Sequence, residues 1–160
     1  MRNALAKILA ASVLAIALCV EGSALRAADG EPNALRPTLS DLMVLTQMRH
    51  FKLWYAERVN NWKLASYELN QMETTLGRIA QLYPTASAVA QATLIHDKTE
   101  PILSDIRHAI DAKSNARFET AFKHMTGLCN QCHEAAGVGF IVVRVPTRSP
   151  FGNQIFEQQP

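Results

Sequence analysis

The chain has 160 residues, the size of a single domain with a well-buried core. Hydrophobic residues make up 48% and charged residues 19%, a balance that excludes a disordered chain. A formal net charge of only +2 argues against a dedicated nucleic-acid-binding protein, and three cysteines are too few for a disulfide scaffold.

An export signal is predicted at the start of the chain. Arg2 and Lys7 precede an uncharged apolar run, residues 8–20, that has the length of a signal-peptide core and is too short to span a bilayer. The alternatives are an uncleaved membrane anchor and lipid attachment at Cys19, which the bulky neighbour Leu18 disfavours. We therefore expect export to an oxidising compartment, a bacterial periplasm.

Removal of the predicted signal peptide, residues 1–28, changes the charge and the cysteine count. This segment has three basic side chains and one acidic side chain, so it holds the whole net charge of +2 and leaves the mature chain neutral. Such a chain has no overall field to attract nucleic acid, and no membrane span is expected after cleavage. Cys19 leaves with the signal, and the mature chain keeps Cys129 and Cys132.

Two long helices are predicted after a polar leader, residues 29–37. Thr38 followed by Asp41 matches a capping box, and the chain between Leu39 and Val59 contains no Gly or Pro. The two predicted helices are Leu39–Val59, which ends at the pair Asn60-Asn61, and Trp62–Leu82, which stops before Pro84.

The rest of the chain supplies the third and fourth predicted helices. The Ala-rich stretch Thr85–Asp97 is expected to be helical, and Pro101 interrupts it or begins the next helix, with Thr99 as its cap. The later segments are Ile102–Lys113, which has an apolar stripe, and Ala116–Ala136, capped by Ser114 and ended by Gly137. Helices joined by short connections predict an all-α antiparallel four-helix bundle over residues 38–137, with an extended C-terminal tail over residues 138–160.

The strongest chemical signal is Cys129-Asn130-Gln131-Cys132-His133, the C-x-x-C-H pattern of covalent haem attachment. Two thiols three residues apart on a helix share a face and can add to the two vinyl groups of one porphyrin. The imidazole next to the second thiol can then bind the iron as the proximal ligand. We therefore predict one covalent haem c, with Cys129 and Cys132 as thioether anchors and His133 as the iron ligand.

Three other uses of this motif are weaker. A thioredoxin-like redox pair is expected among alternating strands and helices, which the sequence lacks. A zinc site would need more clustered Cys or His ligands, and a structural disulfide would leave His133 without a role.

The export signal, the four predicted helices and the late C-x-x-C-H motif together resemble the cytochrome c-prime class and its six-coordinate, low-spin relatives. The architectural resemblance covers about residues 38–136, while motif identity is confined to Cys129, Cys132 and His133. It implies an exported haem-binding bundle. The chain departs from that class in its additional C-terminal tail.

The sixth position of the iron would decide between functions, and three possibilities are open: His50, Met43 or no protein ligand. In an up-down bundle the end of the fourth helix lies beside the start of the first, where Met43 and His50 share one face within about 20°. By its resemblance to the c-prime class, in which the distal residue lies roughly three turns into the first helix, the chain favours His50.

The tail is expected to need burial because it contains many large apolar side chains. It is predicted to cover the bundle or the haem edge, or to form a homodimer contact. The apolar tail residues are Phe140, Ile141, Val142, Val143, Phe151, Ile155 and Phe156.

The predicted function is periplasmic electron transfer to a redox partner protein, in an electron carrier or haem-binding protein rather than an enzyme. One alternative is a c-prime-like protein that binds NO or CO at an open sixth site. Another is an accessory haem subunit of a larger redox complex. Because the mature chain is neutral, docking to a partner is expected to use a local patch near the haem edge.

Overall fold

The computed structural model describes residues 36–85 and 90–160, so the predicted signal peptide and most of the polar leader lie outside the described residues. The described chain is all-helical and contains no strand. Its helices are α1 (Leu39–Arg58), α2 (Trp62–Leu82), α3 (Gln91–Leu94), α4 (Glu100–Asp111) and α5 (Asn115–Ala135). In these two ranges no helix is both long enough and apolar enough to cross a membrane.

The predicted bounds of the second helix are confirmed and those of the first agree to within one residue, because it ends at Arg58 with Val59 as its C-cap. Thr38 and Asp41 form a complete capping box, and their hydrogen bonds lower the pKa of the Asp41 carboxyl. Asn60 has a positive φ of 55°, a conformation that Asn tolerates better than most residues, and it breaks the chain between α1 and α2. The side chain of Asn61 then caps α2 by accepting a hydrogen bond from the backbone N–H of Leu64.

The third predicted helix differs from the structure at both ends. Thr85 and Ala90 are not helical, residues 86–89 of the prediction lie outside the described residues, and α3 begins at Gln91. Thr99 is not a cap, because it belongs to a π-helical segment, Ile95–Thr99, that joins α3 to α4 without a break. Pro101 supplies no backbone N–H and its ring crowds the carbonyl one turn earlier, which accounts for the widened turn at this place.

The C-terminal end of α5 is a Schellman motif at the predicted glycine. Gly137 has a φ of 75°, its N–H bonds to the carbonyl of Glu134, and the N–H of Val138 bonds to the carbonyl of His133. At the other end, Ser114 occupies the N-cap position, but its side chain makes no cap hydrogen bond, contrary to the prediction.

Two clusters of buried apolar side chains hold the helices together. The larger cluster joins α1, α2, α4 and α5, and it includes Trp54 of α1 and Phe122 of α5. The smaller cluster is Leu42, Ile79 and Ile95, which bring α1, α2 and the π segment together. Ion pairs between helices add to this packing: Arg49 with Glu68, Arg58 with Glu119, and Arg107 with Glu73.

The tail contacts the helices, but only part of it is buried. Phe140, Ile141, Val142 and Ile155 are 50–83% exposed in the single chain, so they do not cover the bundle, and their burial at a haem edge or a homodimer contact stays a prediction. Other tail residues are buried within the chain: Pro146 and Phe156 are buried, and Val145 packs against the larger cluster. The tail also contacts the helices through polar groups, because Nδ2 of Asn61 donates to the Phe156 carbonyl over 2.8 Å.

Candidate functional site

The motif cysteines lie on the last two turns of α5, three residues apart. Both side chains are half-buried, and both thiols are free rather than joined in a disulfide. Burial raises the pKa of the Cys129 thiol to about 11, with a further contribution from Cys132, and burial also raises the pKa of Cys132. Both groups are therefore protonated thiols at neutral pH, partly accessible on one side of the helix.

His133 is oriented by a backbone carbonyl of the tail. Its Nδ1 lies 2.7 Å from the carbonyl oxygen of Ile141. Because a carbonyl oxygen can only accept, Nδ1 carries the proton and donates it. In the neutral imidazole, Nε2 then holds the lone pair that can bind a metal.

The tail is attached to the motif a second time, at Asn130. The side-chain Nδ2 of Asn130 donates to the carbonyl of Val143 over 2.9 Å, and the N–H of Val143 donates to Oδ1 of Asn130 over 2.8 Å. The sequence pattern gave Asn130 no role beyond its place between the two cysteines, so this contact was not predicted. No local signal could have revealed it, because the partners are backbone groups 13 residues away.

His50 is buried in α1 and faces α5. Its ring is 3% exposed, lies 4.5 Å from the ring of Phe122 between centroids, and has Nε2 2.9 Å from Oγ1 of Thr126. Desolvation lowers the pKa of His50 to about 4, so the imidazole is neutral at physiological pH.

The hydrogen-bond partners of Thr126 determine which nitrogen of His50 carries the proton. The single hydroxyl proton of Thr126 is donated to the carbonyl of Phe122 over 2.9 Å, one turn earlier in α5. Thr126 therefore accepts from His50, so Nε2 of His50 is protonated and Nδ1 has the lone pair. Coordination through Nε2 would require this bond to break and the proton to move.

Met43 occupies a different environment from His50. It is half-buried and packs against the smaller cluster of Leu42, Ile79 and Ile95. The structure therefore places the two candidate sixth ligands beside different neighbours: Met43 beside α2 and the π segment, and His50 against α5.

A cavity of about 550 Å³ lies between α1 and the tail. His50 and Phe51 line it from α1, and residues 142–144 and 146–150 line it from the tail, including Arg144 and Arg148. The described residues around it do not include either motif cysteine, so this cavity alone does not define the predicted haem site.

Within residues 36–85 and 90–160, no group of three or more His, Cys, Asp or Glu side chains is arranged to hold a metal ion. No family model, no curated protein and no solved structure matches this chain significantly.

Proposed function

We propose that this protein is an exported c-type cytochrome that carries one electron at a time on a single covalently bound haem. The observation that supports this most directly is the hydrogen bond from Nδ1 of His133 to the carbonyl of Ile141, which leaves Nε2 as the metal-binding nitrogen. In this proposal Cys129 and Cys132 hold the porphyrin and His133 binds its iron. When bound, the haem supplies reversible one-electron chemistry, and the protein holds and shields it.

The residues of the motif fit this cofactor. Both thiols are free, half-buried and three residues apart on one helix. Met125 is the last described residue of α5 that belongs to the larger core cluster, and no described residue of α5 belongs to the smaller one. The segment that carries the motif is therefore not part of either core cluster, and its side chains are available to contact a haem.

The proposal includes the arrangement of the helices as an antiparallel bundle. Two contacts join α1 to α5: Arg58 with Glu119, and His50 with Thr126. The earlier residue of α1 contacts the later residue of α5, as expected for antiparallel helices. The same reversal relates α1 and α2, where Arg49 pairs with Glu68 and Leu42 clusters with Ile79. This register supports the proposal that the C-terminal end of α5, which carries the motif, lies near the N-terminal end of α1.

His50 is the first candidate for the sixth ligand and Met43 the second. His50 faces Thr126, which lies three residues before Cys129 in α5. Its low pKa keeps the ring neutral, which is the form that binds a metal. Coordination of this residue would support electron transfer, because a six-coordinate iron changes oxidation state without exchanging a ligand.

A second candidate function is binding of NO or CO at an open sixth site. The observation in its favour is that Nε2 of His50 donates to Thr126, so this nitrogen has a partner within the protein. In that case His50 would be a buried hydrogen-bonded residue near the distal face, and the iron would have no side-chain ligand there.

Covalent attachment is tested by producing the chain in a host with c-type cytochrome maturation. The wild-type protein should retain haem after denaturation, and the double variant Cys129→Ser with Cys132→Ser should lose it. Cys19→Ser is the matched control and should retain haem, since Cys19 lies in the predicted signal. A wild-type chain that releases its haem on denaturation would contradict the proposal.

The optical spectrum with and without CO separates the two functions. An electron carrier should give low-spin bands in both oxidation states and no shift on addition of CO. High-spin ferrous iron that binds CO would instead support the gas-binding function and contradict the carrier.

A further inference from the structure

Asn130, between the two motif cysteines, joins α5 to the tail by two reciprocal hydrogen bonds. Its Nδ2 donates to the Val143 carbonyl and its Oδ1 accepts from the Val143 N–H, at 2.9 and 2.8 Å. The two backbone groups of Val143 determine the orientation of the amide, because one can only donate and the other can only accept. Both ends of this side chain are therefore occupied by a single tail residue.

The carbonyl that holds His133 belongs to Ile141, two residues before Val143. The side chains around it provide little packing, since Phe140 is 83%, Ile141 50% and Val142 73% exposed. The position of the Ile141 carbonyl thus depends on the backbone contacts at either side of it. On one side the N–H of Ile141 bonds to the Val138 carbonyl over 2.8 Å, and on the other side Val143 is held by Asn130.

We propose that Asn130 is a positioning residue that holds the Ile141 carbonyl against Nδ1 of His133 and thereby tunes the proximal imidazole. This inference rests on the proposed function, because it concerns the iron ligand of a bound haem. A hydrogen bond donated from Nδ1 makes the opposite nitrogen a stronger donor to the metal. A stronger donor favours ferric over ferrous iron and lowers the reduction potential.

The test compares the reduction potentials of the wild-type holoprotein and two variants. Asn130→Leu keeps the approximate size of the side chain and removes both hydrogen bonds to Val143. Gln131→Leu is the matched control, because Gln131 also lies between the two cysteines and its side chain is exposed. We expect a higher reduction potential for Asn130→Leu and an unchanged one for Gln131→Leu. Equal shifts in the two variants, or no shift in either, would overturn the inference.

Hydrogen exchange in the wild-type holoprotein provides a test that does not depend on how well the variants fold. The Val143 amide should exchange slowly with deuterium, because its N–H donates to Asn130 in a partly buried contact. Rapid exchange of this amide would overturn the inference. Failure of the two proposals is distinguishable: a wild-type chain without covalent haem contradicts the proposed function, while a haem-loaded chain with equal potentials contradicts only the role of Asn130.

Discussion

At the scale of single residues, His50 has the most informative environment in α1. The His50 imidazole is 3% exposed and has a pKa of about 4, so it is neutral at physiological pH. Its hydrogen bond to Thr126 provides the buried Nε2 with a partner. Burial and neutrality suit an iron ligand, whereas the bond to Thr126 suits a structural histidine. The two roles predict different spectra.

If His50 is the sixth ligand, His50→Ala should convert a low-spin spectrum to a high-spin one and should allow CO to bind to the ferrous protein. His124→Ala is the control, because His124 is exposed on α5 and should leave the spectrum unchanged. A low-spin spectrum that persists in His50→Ala would exclude His50 as the ligand, and Met43→Ala would then be the next variant to measure.

At the scale of helices, the end of α5 depends on a residue that can adopt a positive φ. Gly137, with a φ of 75°, has nothing within 4 Å of the place where a Cβ would lie, so Gly137→Ala adds backbone strain and no collision. We expect a loss of about 1 kcal/mol in the free energy of unfolding. Urea denaturation of the purified protein measures this loss.

Gly127→Ala is the matched control for this prediction. Gly127 lies inside α5 with a helical backbone, and the space that a Cβ would occupy is free there as well, so alanine should stabilise the helix by up to about 1 kcal/mol. Opposite signs at the two glycines are expected. Equal effects would show that the Schellman motif does not limit the stability of α5.

The end of α1 contains a buried carboxylate with an incomplete set of partners. Glu57 is fully buried, accepts a hydrogen bond from Asn115 and lies 3.4 Å from Nε of Arg58. Desolvation raises its pKa, while Asn115 and Arg58 lower it and Glu119 raises it further, and the net shift is upward. The folded state therefore binds this proton more tightly than the unfolded state does.

This shift predicts a pH-dependent cost to stability. The contribution of Glu57 to the free energy of unfolding falls as pH rises above its ordinary pKa of 4.5, and the full cost is present above the raised value. Glu57→Gln should gain stability relative to wild type between pH 4 and pH 7, measured by urea denaturation at each pH. Glu157→Gln, at an exposed tail position, should show no such trend. A constant difference between wild type and Glu57→Gln would contradict the prediction.

At the scale of the whole molecule, the tail joins distant parts of the chain. Phe156 packs beside Tyr55 of α1 with ring centroids 5.7 Å apart, and the Lys52 ammonium lies 5.2 Å from the ring of Phe151. Together with the bonds to Asn61, Asn130 and His133, these contacts make the tail a part of the folded domain.

Deletion of residues 139–160 should therefore lower the free energy of unfolding and, if the chain binds the proposed haem, change its reduction potential. Phe156→Ala separates the two effects, because it should cost about 3 kcal/mol in packing while leaving the bonds at Asn130 and His133 in place. Unchanged stability and potential after the deletion would show that the tail does not cover the site.

The features that could be predicted from the sequence depend on residues close together in the chain. The capping box spans Thr38 to Asp41, the break lies at Asn60-Asn61, and the helix end lies at Gly137, all close to the predicted positions. The C-x-x-C-H motif is equally local, because its chemistry depends on the spacing of side chains along one helix.

The contacts that distinguish the site could not be predicted in this way. The partner of His133 is a backbone carbonyl, which every residue has, so nothing in the identity of Ile141 indicates it. The bond between His50 and Thr126 joins residues 76 positions apart, and only the packing of α1 against α5 brings them together. The exposure of Phe140 and Val142 likewise could not be predicted from their hydrophobicity.

The sequence by itself therefore determined the all-helical character, the first helix boundaries and the residues proposed to anchor a haem, because each depends on interactions within about one or two helical turns. Tertiary structure alone decided which nitrogen of His133 is available, how Asn130 is used and where Met43 and His50 lie. Those outcomes depend on backbone groups and long-range packing, whose free energy is shared among elements far apart in the chain.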